Sequence, residues 1–196
     1  KMYIRKQRSK LGFQLIPARQ VIGREFEYKM DAEWEGEEKP TFCLPGLNIQ
    51  TIERDRPQDH PAREVPMDEW LEFLGYWLTE GSNDPKKYSI DLTTFDLELA
   101  QRFMWVIGSI GETPNYYQNG KVIHVKFNSP ILSQYLAPLG HAAQKYIPHL
   151  FFNLCKRQLE ILYKAMMVGK GDKVEQRRFW TSSVRLKDDF QELLLR

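Results

Sequence analysis

Cysteine is scarce: Cys43 and Cys155 are the only two among 196 residues. They stand too far apart for a metal-binding CxxC pair, and two thiols make no disulfide framework. A reducing cytoplasm is the expected setting. Histidine is scarce as well. No two of His60, His124, His141 and His149 combine ligand spacing with a third donor, which argues against zinc, so they read as hydrogen-bonded surface or half-buried side chains. Long apolar runs are missing. None approaches the ~18 residues of a membrane span, and the basic start KMYIRKQRSK has no apolar stretch behind it. Neither a secretory signal nor a membrane partner is expected. Ser182 and Ser183 have no His–Asp context to make them nucleophiles.

What the chain does have is apolar material for a core, with 42% hydrophobic and 13% aromatic residues, which excludes wholesale disorder. The net charge of +2 conceals a strong segregation. Residues 1–30 carry +6, residues 31–72 carry −8, and residues 73–196 carry +4. Basic faces are therefore compatible with a nearly neutral total, and nucleic acid is not excluded as a partner.

Length and β-branched content predict short strands over residues 2–28, with turns at Ser9–Gly12 and near Gly23. The acidic stretch Asp31–Lys39 reads as a solvated loop anchored by Trp34. Glu53–Pro66 holds three prolines among many charges and reads as a linker. Beyond it Asp68 is placed to cap a helix carrying Trp70, Leu71, Phe73, Leu74, Trp77 and Leu78 and ending at Gly81. A strand is expected over about 88–94 and a helix over 97–110 capped by Asp96. A hairpin over 113–127 should turn at Asn119–Gly120. Helices over 130–136 and 156–168, a strand over 178–182 and a last helix from about Leu186 complete the expectation. The class is α+β.

The segment after Lys156 opens like a second copy of the segment after Asp68. FLGYWLTEG (73–81) and YKAMMVGKG (163–171) share a small third residue, Gly75 or Ala165, and a ninth glycine. Two ordinary amphipathic helices with glycine C-caps would also produce this. Taken with the loop KYIP (145–148) and the run FWTSSVRL (179–186), however, the pattern resembles the LAGLIDADG homing endonucleases, in their phage and intein form. The resemblance covers about Asp68–Arg196.

That resemblance implies a monomeric pseudo-dimer: two motif helices packed at the centre and twisted antiparallel sheets forming a saddle on double-stranded DNA. A small third residue lets two helix backbones approach, as at other close helix contacts. Gly75, Leu74, Leu78, Ala165, Met166 and Met167 would make that interface. The eighth motif residue, Glu80, would hold Mg²⁺, an oxygen-seeking ion suited to phosphodiester hydrolysis. Lys145 of the KYIP loop would assist the attacking water or the charged transition state. Lys86, Lys87, Tyr88, Lys121, Lys126, Arg177, Arg178 and Trp180 are the candidate DNA contacts, of which strand alternation lets only about half face the groove.

One departure weighs on the catalytic centre. The second motif has Lys170 where an acid is expected, and a charged ammonium repels a cation beside Glu80 rather than ligating it. Asp172 would substitute only if the helix end were rearranged. The expected activity is accordingly an impaired or nicking DNA endonuclease. The alternatives are a non-catalytic nucleic-acid binder on the same scaffold, such as an intron-RNA maturase or a regulator, and a structural α+β protein. Residues 1–52 more faintly resemble the β-rich protein-splicing (Hint) region that often surrounds such endonucleases, with a basic accessory module as the other reading. Lys1 and Arg196 are not splicing residues, so the chain as given is not expected to splice. The expected organisation is a module over 1–52, a linker over 53–67, a first half over 68–155 and the start of a second over 156–196.

Overall fold

A computed structural model describes residues 2–6, 12–28, 34–49, 58–170 and 178–196. The expected turn at Ser9–Gly12, the first part of the linker, Asp172 and Arg177 fall wholly or mainly outside these residues. The chain divides into two compact units. One is made of residues 1–34 with 195–196, and the other is the continuous stretch 35–194.

The smaller unit is a three-stranded antiparallel sheet, order β2-β1-β3, formed by β1 (Met2–Lys6), β2 (Gln14–Ile16) and β3 (Phe26–Tyr28). Ile4 is buried in it, Arg5 pairs with Glu27 across the sheet, and the Arg5 guanidinium lies 5.0 Å from the Phe13 ring centre. Gly23 sits at φ +73°, a left-handed turn position that glycine occupies without strain.

The larger unit begins with strands, two of them in the region read as a linker. β4 (Thr41–Leu44) pairs with β7 (Arg63–Pro66), and β5 (Leu47–Ile49) pairs with β6 (Gln58–His60), both antiparallel. Two of the three prolines that suggested a linker sit where strands tolerate them: Pro61 lies between β6 and β7, and Pro66 is a strand's last residue. The acidic stretch is likewise not simply solvated. Gln158 accepts from Lys39 N (3.0 Å) and donates to Lys39 O (2.6 Å), and Cys155 N donates to Glu37 O (3.0 Å). These partners lie more than a hundred residues downstream, beyond any local pattern.

Helix α1 (Met67–Glu80) is buried on nearly all sides because Trp70, Leu71, Phe73, Leu74, Trp77 and Leu78 leave it hardly any polar face. Pro66, not Asp68, holds the N-cap position. Asp68 lies in the first turn, where it favours the helix dipole and takes hydrogen bonds from Arg157 and Gln158. The Arg157 contact comes first among the causes that hold the Asp68 carboxyl below its usual range.

No loop follows α1. The chain passes at Gly81 straight into β8 (Gly81–Asp84), whose polar GSND carries no strand-like alternation, and then into β9 (Ser89–Thr94). Helix α2 (Leu97–Ser109) starts on Asp96, whose carboxylate accepts from Glu98 N and Leu99 N. β10 (Asn115–Asn119) and β11 (Val122–Asn128) form the hairpin, with Gly120 at φ +60° and Lys121 as its two-residue loop, one residue beyond the expected turn. These four strands make an antiparallel sheet of order β10-β11-β9-β8. Ile90, Leu92 and Thr94 of β9 pair with Phe127, Val125 and Ile123 of β11 on its buried face, towards α1 and α2.

Helix α3 (Pro130–Leu136) starts on Ser129, and its Ser133 exchanges hydrogen bonds with the buried Asn83 of β8 (2.7 and 2.8 Å). Helix α4 (Lys156–Lys170) and helix α5 (Val184–Leu194) complete the unit. The strand expected over 178–182 is not formed. Only Phe179 has bridge geometry, and Ser183 caps α5 by accepting from Leu186 N while donating to Lys145 O (2.7 Å). The observed class is α+β, with small antiparallel sheets and five α-helices among the described residues.

Candidate functional site

Helices α1 and α4 run side by side through the centre of the larger unit, in contact along their lengths. A Cβ on Gly75 would stand 2.6 Å from Ala165 Cβ and 3.0 Å from Leu162 O, so glycine is required for this spacing. Leu74, Leu78, Ala165, Met166 and Met167 are all buried. At the other end of the contact, a Cβ on Gly169 would lie 2.1 Å from Thr79 Oγ1 and 3.2 Å from Glu80 Cγ. The Thr79 hydroxyl that fills this space is held in place by its own helix, donating to Gly75 O and Tyr76 O (3.0 and 3.1 Å). The C-terminal ends of both helices therefore meet. Glu80 closes α1, and Lys170 is the last helical residue of α4.

Lys145 reaches this junction from the KYIP loop. Its ammonium donates to Trp77 O (2.5 Å) and Gly81 O (2.6 Å) and lies 4.3 Å from the Trp77 ring centre. The side chain is 5% exposed. A buried cation here satisfies the last carbonyls of α1 and complements the negative end of its dipole. The residue therefore locks the end of the helix that carries Glu80.

Beside the junction lies a cleft of about 750 Å³, lined by Glu80, Ser82, His141, Lys145, Trp180 and Thr181 among others. Glu80 is half-buried on its wall and is the one acid among the described lining residues. No three His, Cys, Asp or Glu side chains come together as a metal site among the described residues. This donor set fits one hard cation completed by substrate phosphates and waters, the usual manner of Mg²⁺. Among the described residues no second carboxylate lines the cleft, so the described donor set does not make a two-metal pair.

The four-stranded sheet turns its other face outward. By alternation that face presents Asp91 and Thr93 of β9, His124 and Lys126 of β11, and Asn115 and Tyr117 of β10. Lys126 is exposed there. Lys86 and Lys87 are exposed in the β8–β9 turn, where Lys87 stands 3.8 Å from Asp84, and Lys121 is exposed at the hairpin tip. Tyr88 is half-buried at φ 52°, its carbonyl accepting from Ser129 N, so it shapes the turn. Arg178 is exposed, and Trp180 is exposed on the cleft wall. Sequence reasoning passed over Asp91, His124 and Tyr117, although the alternation of β11 already put His124 and Lys126 on one side.

No protein-family model matches the chain. Among curated proteins it is similar to an "ATP-dependent Clp protease proteolytic subunit" of Chlamydomonas moewusii, 24% identical over 202 residues, covering 94% of this chain and 19% of the relative. It is also similar to a "DNA-directed RNA polymerase subunit beta C-terminal section" of Stigeoclonium helveticum, 26% identical over 208 residues, covering 95% of this chain and 18% of the relative. The chain thus spans about a fifth of the length of the curated relatives it matches. No helix among the described residues is long and apolar enough to cross a membrane.

Proposed function

We propose that residues 35–194 form a LAGLIDADG-type DNA-binding domain, a monomeric pseudo-dimer whose endonuclease centre is impaired by Lys170. The observation that carries this reading is the backbone-close pairing of α1 and α4 through Gly75 and Ala165, with the helix ends meeting where Gly169 abuts Thr79 and Glu80. Ordinary amphipathic helices with glycine caps do not need a side chain to be absent at both ends of their contact. The outward sheet face, with lysines at its turns, supports double-stranded DNA as the partner.

The relatives bear on where such a segment sits, and not on what it does. A protease subunit and a polymerase subunit have no activity in common, yet each matches almost this whole chain within about a fifth of its own length. A segment shared by such hosts is expected to be a self-contained insert.

In the proposed chemistry Glu80 and the substrate phosphate would hold Mg²⁺, which would neutralise phosphate charge and activate water. The chain's own part is positional. Lys145 fixes the last turn of α1 and so the direction of Glu80, and the cleft receives the backbone beside it. The second motif carries lysine at position 170 in place of an acid, and a positive charge in that role lowers cation affinity. Nicking of one strand is therefore expected rather than a double-strand break. Lys170 also favours the second reading, binding without cleavage.

Supercoiled plasmid carrying a selected binding site, incubated with Mg²⁺, separates the two. Slow nicking that disappears with Glu80→Gln or EDTA supports the endonuclease, and Lys170→Asp should then raise cleavage and yield linear product. Salt-dependent binding without nicking, in the parent and in Lys170→Asp alike, overturns the catalytic part and leaves the binder.

A further inference from the structure

On the outward face of the sheet three side chains form one unit. His124 Nδ1 stands 3.0 Å from Asp91 Oδ2, and the imidazole is stacked on Tyr117, 4.7 Å between ring centres and 2° from parallel. Asp91 and His124 keep about a fifth of their side-chain surface exposed, and the other Asp91 oxygen, Oδ1, is sealed from solvent without a hydrogen-bond partner. The ring is thus held against rotation by a hydrogen bond on one edge and an aromatic plane on one face. Nothing in the core calls for this arrangement, because the apolar side of the sheet is filled by Ile123, Val125 and Phe127.

We infer that His124 is a base-reading residue, with Asp91 and Tyr117 as its positioning residues. The inference rests on the DNA-binding reading above. An ionised Asp91 accepts from Nδ1–H, which fixes the tautomer and leaves the Nε2 lone pair as the free acceptor. In the major groove that acceptor matches the amino hydrogens of adenine N6 or cytosine N4. Around the ring stand Asp91 on β9, Tyr117 on β10 and Lys126 along β11, with Thr93 and Asn115 as the immediate neighbours on β9 and β10.

Selection of the full chain against a randomised duplex library, in EDTA at low salt, tests this. One position should favour adenine or cytosine, and His124→Ala should reduce that preference roughly 3- to 10-fold, the size of one neutral hydrogen bond, with other positions unchanged. Asp91→Ala should blur the same position by freeing the ring. Circular dichroism before selection establishes that each variant is folded. Duplex binding with an unchanged base preference in His124→Ala would overturn the inference while leaving the DNA-binding reading intact. Failure of the parent to retain any duplex at low salt would remove both.

Discussion

Replacing Gly75 by alanine is the sharpest available probe of the helix pair. The added methyl would meet Ala165 Cβ at 2.6 Å, Leu162 O at 3.0 Å and Met166 N at 3.2 Å. Relaxed carbon contacts lie at about 3.5–4.0 Å, so α1 and α4 must separate by roughly 1 Å, loosening every contact along their seam. Overpacking of this kind costs about 1–3 kcal/mol. Alanine is the better helix former and returns about 0.5–1 kcal/mol. The net expectation is destabilisation by about 1–2 kcal/mol, or about 2–4 °C in Tm per kcal/mol for a chain of this size. Gly108 supplies the control. It lies in α2, exposed, with nothing within 4 Å of a built Cβ, so Gly108→Ala should raise Tm by a small amount. Ala165→Gly in the Gly75→Ala background should recover part of the loss, giving a favourable coupling in a double-mutant cycle. Thermal and urea unfolding of the parent, Gly75→Ala, Ala165→Gly, the double variant and Gly108→Ala measure these effects. If Gly75→Ala melts at or above the parent temperature, as Gly108→Ala should, the close approach argued here is refuted.

Three further outcomes follow from neighbouring contacts. Lys145→Met removes the ammonium that Trp77 O and Gly81 O accept from; Trp77 O keeps the bond from Gly81 N, so the loss falls mainly on Gly81 O, at about 1–3 kcal/mol, and a fall in Tm is expected by calorimetry. Asp96→Ala deletes the cap of α2 and should lower stability by about 1 kcal/mol in urea titration. Because Arg157 depresses the Asp68 carboxyl below its unfolded value, the stability it contributes is complete above the ordinary aspartate range and is lost as pH falls through the depressed value. Asp68→Asn should therefore flatten the acid limb of a stability–pH curve and leave its slope near neutrality unchanged.

The helices were legible because their information is local. The run from Trp70 to Leu78 fixes α1 by periodicity, Asp96 and Ser129 mark helix starts through their side chains, and the small residues at 75 and 165 leave room for two backbones to meet. The sites that escaped were those fixed from a distance. Strand β8 has no apolar alternation because it is held by pairing to β9 and by the exchange between Asn83 and Ser133, fifty residues away. Glu37 and Lys39 look solvated until Cys155 and Gln158 are folded against them. Asp68 had the composition of an N-cap, yet Pro66 reaches α1 directly from β7, and the carboxylate turns to Arg157 instead. At the candidate site, Glu80 and Lys145 were visible as motif residues. The helix-capping geometry of Lys145 and the Asp91–His124–Tyr117 group were not, since both depend on which strands and loops become neighbours.

Gly169 leaves no space for a side chain between Thr79 and Glu80, and Lys170 follows it as the last helical residue of α4. Lysine codons (AAA, AAG) and glutamate codons (GAA, GAG) differ only in their first nucleotide. If that end is a former hydrolytic centre, a single transition in the gene would reverse its charge. The scaffold would then move between dormancy and cutting by a route open to chance mutation, with no rebuilding of the fold in between.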